Sequence, residues 1–310
     1  MKHVVLIIDG ASGWPVAALG ERTALETAHT PNLDRVAREG TLGVAHNVPA
    51  GMEASSAVAC MSVMGFDPAL YYAGRGPIEA MAMGVELEPG EVAMRCNLVT
   101  VLDGTMVSYS AGVITSQESA QLIAALREGL GESFRDAGDG SGGGRAGRAD
   151  GASRARMALH AGVGFRHILT VRDGAELLAT SFATAHDIAD RPVADFPPVG
   201  PGADLVRDLM ERSKAVLAGH PGNQAREARG QLPATQIWLF WPGVRPAGMP
   251  TFAETYGGLQ TALTSGVDLL RGLAIQTGMD VLHILGVTDG DNNDYTAQMA
   301  GALAALDEYD

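Results

Sequence analysis

Several side chains in this sequence sit where chemistry could be done. Asp9 ends an apolar run and precedes Gly10. A hard carboxylate at the carboxyl end of a strand suits Mg2+ or Mn2+, because open parallel sheets place their ligands there. The alternative is a turn cap with Gly10. Ser55-Ser56 opens a second apolar stretch. The N–H groups at a helix start stabilise phosphate or an alkoxide, and a serine there becomes a nucleophile once a base or metal helps it lose its proton. The alternative, for either serine, is a helix cap. Three arginines have unusual neighbours: Arg75 between two glycines, Arg95 before Cys96-Asn97, and Arg166-His167 after Gly164-Phe165. A guanidinium grips phosphate or carboxylate at two points, and flanking glycines let the backbone approach a ligand. A plain ion pair explains each equally well. His186-Asp187 reads as a polar switch pair or as a loop turn before Arg191-Pro192. The eight histidines show no His-x-x-x-His spacing.

These residues need elements to position them. Residues 4–8 are continuously apolar and β-branched, which predicts a strand buried on both faces. Thr30-Pro31 opens a helix that Gly40 closes. Residues 56–64 predict a short buried helix ended by Gly65. Thr115 and Glu118 have capping-box spacing for a helix through Leu126. A helix is expected over 204–217 and a buried strand over 236–241. Helix 265–277, strand 280–285 and helix 294–306 alternate as in a βαβ unit. Residues 137–153 are rich in Gly, Ala, Arg and Asp and are too polar to bury the surface that order requires. The expected fold class is α/β, with a mainly parallel sheet in a discontinuous core (1–83 and 236–310). An α+β domain (84–235) is inserted between its halves.

Composition narrows the partners. The chain has 310 residues, 46% hydrophobic and 19% charged, enough for a large core. Its formal charge of −14 repels phosphate backbones, so nucleic acid is an unsuitable partner. Two cysteines make no disulfide framework. No apolar stretch reaches membrane-spanning length, and the start is too short for a signal peptide. A cytoplasmic protein is expected, with a homo-oligomer open to it, and an anionic small substrate would need local compensation from metal ions or arginines.

In their order, these segments resemble the archaeal-type 2,3-bisphosphoglycerate-independent phosphoglycerate mutases of the alkaline phosphatase superfamily. The blocks include Thr30-Pro31-Asn32-Leu33-Asp34, Gly65-Phe66-Asp67-Pro68 and Gly74-Arg75-Gly76-Pro77-Ile78-Glu79-Ala80. Further on come Arg95-Cys96-Asn97, Tyr109-Ser110-Ala111-Gly112, His186-Asp187-Ile188, Gly286-Val287-Thr288 and Asp294-Tyr295. The resemblance implies an alkaline-phosphatase-like core and two divalent metals, Mn2+ or Mg2+, with no 2,3-bisphosphoglycerate. It implies conversion of 3-phosphoglycerate to 2-phosphoglycerate through a phosphoserine. By ungapped spacing to Gly65 the nucleophile falls on Ser56, which with Asp9 also falls among the metal ligands. The basic residue of the Ser-x-Val-Asp-Leu stretch falls on Arg271, where lysine is expected. The implied substrate-binding set is Arg75, Arg95, Asn97, Arg166, His167, His186, Asp187 and Arg271.

The sequence also departs from that pattern. Ala57 and Cys60 stand where an acidic residue and a histidine are common. The family's remaining Asp and His metal ligands follow the 294–306 helix, and no counterpart precedes Asp310. The expectation is therefore a C-terminally shortened chain, lacking a core strand and inactive alone. Other readings are a different alkaline-phosphatase-like phosphomutase or phosphohydrolase, and a non-catalytic binding protein.

Overall fold

The computed structural model describes residues 2–131, 156–290 and 292–310. Residues 137–153, read above as unable to order, lie outside the described residues. The helices before the sheet are α1 (Ala24–Thr27), α2 (Pro31–Glu39), α3 (Ser56–Val63), α4 (Pro68–Tyr71) and α5 (Arg75–Ala82). The sheet strands are β1 (Val92–Leu102), β2 (Thr105–Ser108), β3 (Met157–His160), β4 (Arg166–Val171) and β5 (Gln236–Val244). Among them come α6 (Ser116–Gly129), α7 (Ala203–Leu217) and α8 (Pro221–Ala228). The chain closes with α9 (Phe252–Thr255), β6 (Ala262–Leu263), α10 (Asp268–Gln276), β7 (Asp280–Val281) and α11 (Tyr295–Ala305).

Helix boundaries follow local chemistry. Pro31 sits in the first turn of α2 and Gly40 closes it. Thr115 and Glu118 form the reciprocal capping box of α6, satisfying two N–H groups that the helix leaves open. Asp294 caps α11, accepting from Ala297 N. The expected strand over 236–241 is present as β5 and runs on through Pro242-Gly243 to Val244.

The sheet corrects the expectation of a mainly parallel arrangement. β1 is central, with β5 along one edge and β4 then β3 along the other; β2 joins its last three residues. Every pairing in this five-stranded sheet is antiparallel. Hydrophobic runs state how deeply a strand is buried but not the direction of its neighbour. A parallel pair does occur between β6 and β7, two residues each, joined through α10 as a small βαβ unit.

Residues 4–8 are a second correction. They form no strand, and Val4, Val5, Leu6, Ile7 and Ile8 are all exposed. A strand exists only where a neighbour accepts its backbone hydrogen bonds. Here the backbone bonds run from His3 N to the Asp310 carbonyl and from Ala11 N to the Ile8 carbonyl instead.

Two main apolar cores result. One packs β1, β3, β4 and β5 against α6 and α7 through Met94, Leu98, Ile123, Leu126, Leu169 and Leu209. The other joins α3, α5 and α10 through Met61, Phe66, Ile78 and Leu273. α5 lies between them: Gly272 of α10 meets the Ile78 carbonyl on one side, and the sheet covers the other.

Candidate functional site

The site begins with the close seating of α5 on the sheet. A Cβ at Gly76 would collide with the Ala93 and Trp241 carbonyl oxygens. One at Gly74, whose φ is 106°, would collide with the Pro242 carbonyl. The glycines around Arg75 thus bring the backbone close to two strands, whereas the sequence reading had them approach a ligand. The consequence is that Arg75 and Glu79, one helical turn apart, face the β1 side chains.

Strand alternation decides which of those side chains they meet. Arg95 pairs across to Ile168 and Asn97 to Arg166, so Arg95, Asn97 and Arg166 share one sheet face. Glu79 accepts from Arg75 Nε at 2.7 Å and from Arg95 Nη1. Arg95 Nε donates to Asn97 Oδ1 at 2.8 Å, and Asn97 Nδ2 donates to the Tyr109 carbonyl at 3.2 Å. The Arg75 guanidinium lies 4.1 Å over the Trp241 ring and that of Arg166 lies 4.6 Å over Phe165. Between these ends run Tyr109 and His186, edge-on to one another at 6.3 Å, and His186 reaches Trp241 at 5.5 Å. Arg166 is tied to Asp289 at 3.0 Å.

The electrostatics fit a site for anions. Burial, then the charges of Arg75 and Arg166, lower the Arg95 guanidinium to about 9, with Asp268 opposing. Burial lowers Arg75 as well. Three guanidiniums that repel one another are relieved by a ligand carrying negative charge.

His167 and Cys96 share the opposite face, paired across the strands. His167 is fully buried, and its Nδ1 accepts from Gly162 N at 3.1 Å while Nε2 has no partner among the described residues. Burial, with Arg95 and Arg127, pushes it down to about 3, and burial pushes the Cys96 thiol up to about 12. Both are held neutral, so they form no nucleophilic pair. Adjacent strand residues cannot face one ligand, and the Arg166-His167 pair expected at the substrate is divided by the sheet.

The serines lie at the start of α3. Ser55 is the N-cap, its Oγ accepting from Val58 N at 3.5 Å, and Ser56 is the exposed first residue of the helix. Tyr72 connects this end to the arginines. Burial and Glu53 raise its phenol, while Arg75 and a hydrogen bond to Ser55 act the other way. Asp9 is exposed, and after burial its charge is a further cause of the raised Cys60 thiol on α3. Among the described residues, no three His, Cys, Asp or Glu side chains converge on a common point. Asp9 and Ser56 alone do not amount to a two-metal centre, which needs several ligands for each ion.

The remaining expected residues are peripheral. Arg271 pairs with Asp268 at 3.4 Å on α10 and meets the site through that carboxylate's field on Arg95. Asp187 is exposed, 3.8 Å from His186 Nε2, and accepts from Thr184 Oγ1 in a turn. Sequence reasoning assigned no role to Glu79, Tyr109, Trp241 or Asp289. Of these only Glu79 carried a local signal, its four-residue spacing from Arg75 on a helix.

Comparison with known proteins bears on the fold and the family. A protein of Pyrococcus horikoshii superposes with a TM-score of 0.69 at 24% identity, over 97% of this chain and 66% of that one. A cofactor-independent phosphoglycerate mutase from Thermoplasma acidophilum superposes at 0.52, also at 24% identity, over 97% and 73%. These likenesses establish a shared mixed α/β fold. The family model for 2,3-bisphosphoglycerate-independent phosphoglycerate mutase matches residues 37–139 and 147–223. The mutase of that name from Methanothrix thermoacetophila is 41% identical over the whole chain, which spans 72% of it. A second, from Methanothermobacter thermautotrophicus, is 39% identical over the whole chain and 71% of its own length. The chain belongs to the 2,3-bisphosphoglycerate-independent phosphoglycerate mutase family, whose members are isomerases that do without that cofactor.

Proposed function

We propose that this chain binds phosphoglycerate and belongs to an enzyme that interconverts 3-phosphoglycerate and 2-phosphoglycerate through a phosphoserine at Ser56. The observation that carries the reading is the convergence of Arg75, Arg95 and Arg166 on one sheet face. A phosphate and a carboxylate on one small molecule match three mutually repelling guanidiniums. Ser56 suits the nucleophile because the Ser55 hydroxyl is engaged as the helix cap. In the forward half, the Ser56 oxygen bonds to phosphorus and the phosphorus bond to one glycerate oxygen breaks. The serine proton ends on that oxygen. The second half reverses these events at the other hydroxyl, so the net change is an isomerisation. Nothing in this scheme is routed through metal ions, which the described residues do not fit. With this reading go a cytoplasmic location and a division into a core (1–83, 236–310) and an inserted part (84–235) that closes over glycerate.

Calorimetric titration of the 310-residue chain with 3-phosphoglycerate, glycerate and inorganic phosphate tests the binding reading. The first should bind at least about tenfold more tightly than the others, because it alone engages all three arginines. Equal affinities would sink it. In a chimera carrying the remaining length of the Methanothrix relative, Ser56→Ala should abolish interconversion and Ser55→Ala should leave most of it. The reverse result would move the nucleophile by one residue. The 310-residue polypeptide assayed alone with added Mn2+ should show no measurable interconversion, and measurable turnover by purified monomer would overturn that expectation.

A further inference from the structure

Glu79 is 3% exposed, and its carboxylate lies between α5 and the sheet. A carboxylate so far from water is costly unless it is paired and hydrogen-bonded. Its partners are Arg75 Nε and Arg95 Nη1. Each arginine therefore gives Glu79 one donor and keeps others. Among the described residues, Arg95 Nη2 and both Nη atoms of Arg75 have no protein partner. Arg75 is also held from its flat side by Trp241. Arg95 is held on its Nε edge by Asn97, itself anchored to the Tyr109 carbonyl. A single carboxylate thus completes a chain of contacts that fixes two guanidiniums and leaves their free N–H groups as the donors for a ligand.

We propose that Glu79 is a positioning residue for phosphoglycerate: it orients Arg75 and Arg95 so that their free N–H groups meet the ligand. This rests on the reading that these arginines grip the substrate. Two comparisons separate the role from plain stabilisation. First, glutamine has the same shape but offers one acceptor and one donor. One guanidinium would then meet an N–H group instead of an oxygen, and its own N–H groups would turn from the ligand. Second, the charged groups near Arg95 are Arg75 from α5, Arg166 from β4 and Asp268 from α10, besides Glu79 itself. Aspartate keeps the charge and both acceptors that hold the two repelling arginines together, and loses only reach.

The experiment is calorimetric binding of 3-phosphoglycerate to the 310-residue chain as wild type, E79Q and E79D at about pH 7.5, with melting temperatures recorded for each. E79Q should bind at least about tenfold more weakly. E79D keeps the charge and both acceptors but not the reach, so it should recover part of that loss and bind only several-fold more weakly than wild type. Should E79Q fail to fold, E79D carries the test. Wild-type affinity in both folded variants, or in E79D alone when E79Q does not fold, would overturn the proposal and leave the substrate reading intact. Failure of wild type to bind 3-phosphoglycerate would remove the substrate reading, and this proposal with it.

Discussion

Arg166 and His167 are neighbours in the chain and opposites in environment. Arg166 lies on a half-open sheet face with Arg95, Asn97 and a stacked phenylalanine, and its charge is answered by Asp289. His167 lies on the other face, fully buried beside Cys96, with a ring nitrogen that meets no partner among the described residues. One face keeps its charges and pairs them, while the other forces its polar groups neutral. The lesson is that function here is sorted by strand parity. A polar residue in the right block of sequence reaches the ligand only if its index has the right parity.

That contrast can be broken most severely by lifting α5 from the sheet. Gly76→Ala adds a methyl group against two backbone carbonyls that cannot rotate away. The helix propensity gained is about 1 kcal/mol, whereas the clash should cost about 3–4 kcal/mol. Denaturant titration should show that loss, together with loss of 3-phosphoglycerate binding. An unchanged midpoint would mean α5 is not seated as described.

Arg95→Met is a cleaner cut on the charged face. It removes donors to a charged ligand and should weaken 3-phosphoglycerate binding about 100-fold, or about 2.7 kcal/mol. Calorimetry reads this directly, and a change within threefold would take Arg95 out of the site.

His167→Leu probes the other face, where binding should stay within about twofold of wild type. Its signature is in stability against pH. The His167 value falls from 6.5 to about 3 on folding. Between those limits the unfolded chain takes up a proton that the folded one refuses, so wild type loses stability as pH falls below 6.5. The leucine variant should lose less between pH 7 and 5, seen as a smaller drop in melting temperature. Parallel curves for the two proteins would assign the acid limb elsewhere. The mildest change, Cys96→Ala, deletes one buried sulfur and should cost about 1 kcal/mol in a denaturant midpoint, with no change in ligand affinity. A lost affinity there would show that the faces are coupled through the sheet.

Much of the helical framework was legible because its signals are local. Thr115 with Glu118, Thr30-Pro31 with Gly40, and the apolar stretch behind Ser56 each announce a helix within a few residues. β1 was not legible. Arg95 and Asn97 interrupt its apolar pattern, and only the partner strands, far away in sequence, make those polar residues tolerable inside. Residues 4–8 failed in the opposite sense: their pattern is that of a buried strand, but nothing in a pattern names the neighbour that must pair with it. The arginines stood out by their neighbours, and three of them do converge. Glu79 carried only its spacing from Arg75, a weak signal because a glutamate in a helix usually faces water. Its importance comes from the tight helix-to-sheet contact at Gly74 and Gly76, which no local rule foresees.

Arg226 is almost wholly buried, donating to the Leu232 carbonyl, to Glu118, and to the Ala111 and Gly112 carbonyls. Ala111, Gly112 and Val113 are consecutive left-handed residues, with φ values of 48°, 63° and 55°. This turn follows Tyr109, whose carbonyl anchors Asn97. The clamp and the turn are separated by 115 residues. At roughly 5–20 residues per second of synthesis, the turn therefore waits on the order of ten seconds for the side chain that holds it. Throughout that interval only the local bonds from Gly112 N to Ser108 Oγ and from Val113 N to Ser110 Oγ can hold the turn. The nascent chain can complete its arginine-lined face only after α8 has been made, so slowing translation between the two segments should prolong the period in which a chaperone or protease finds this turn open.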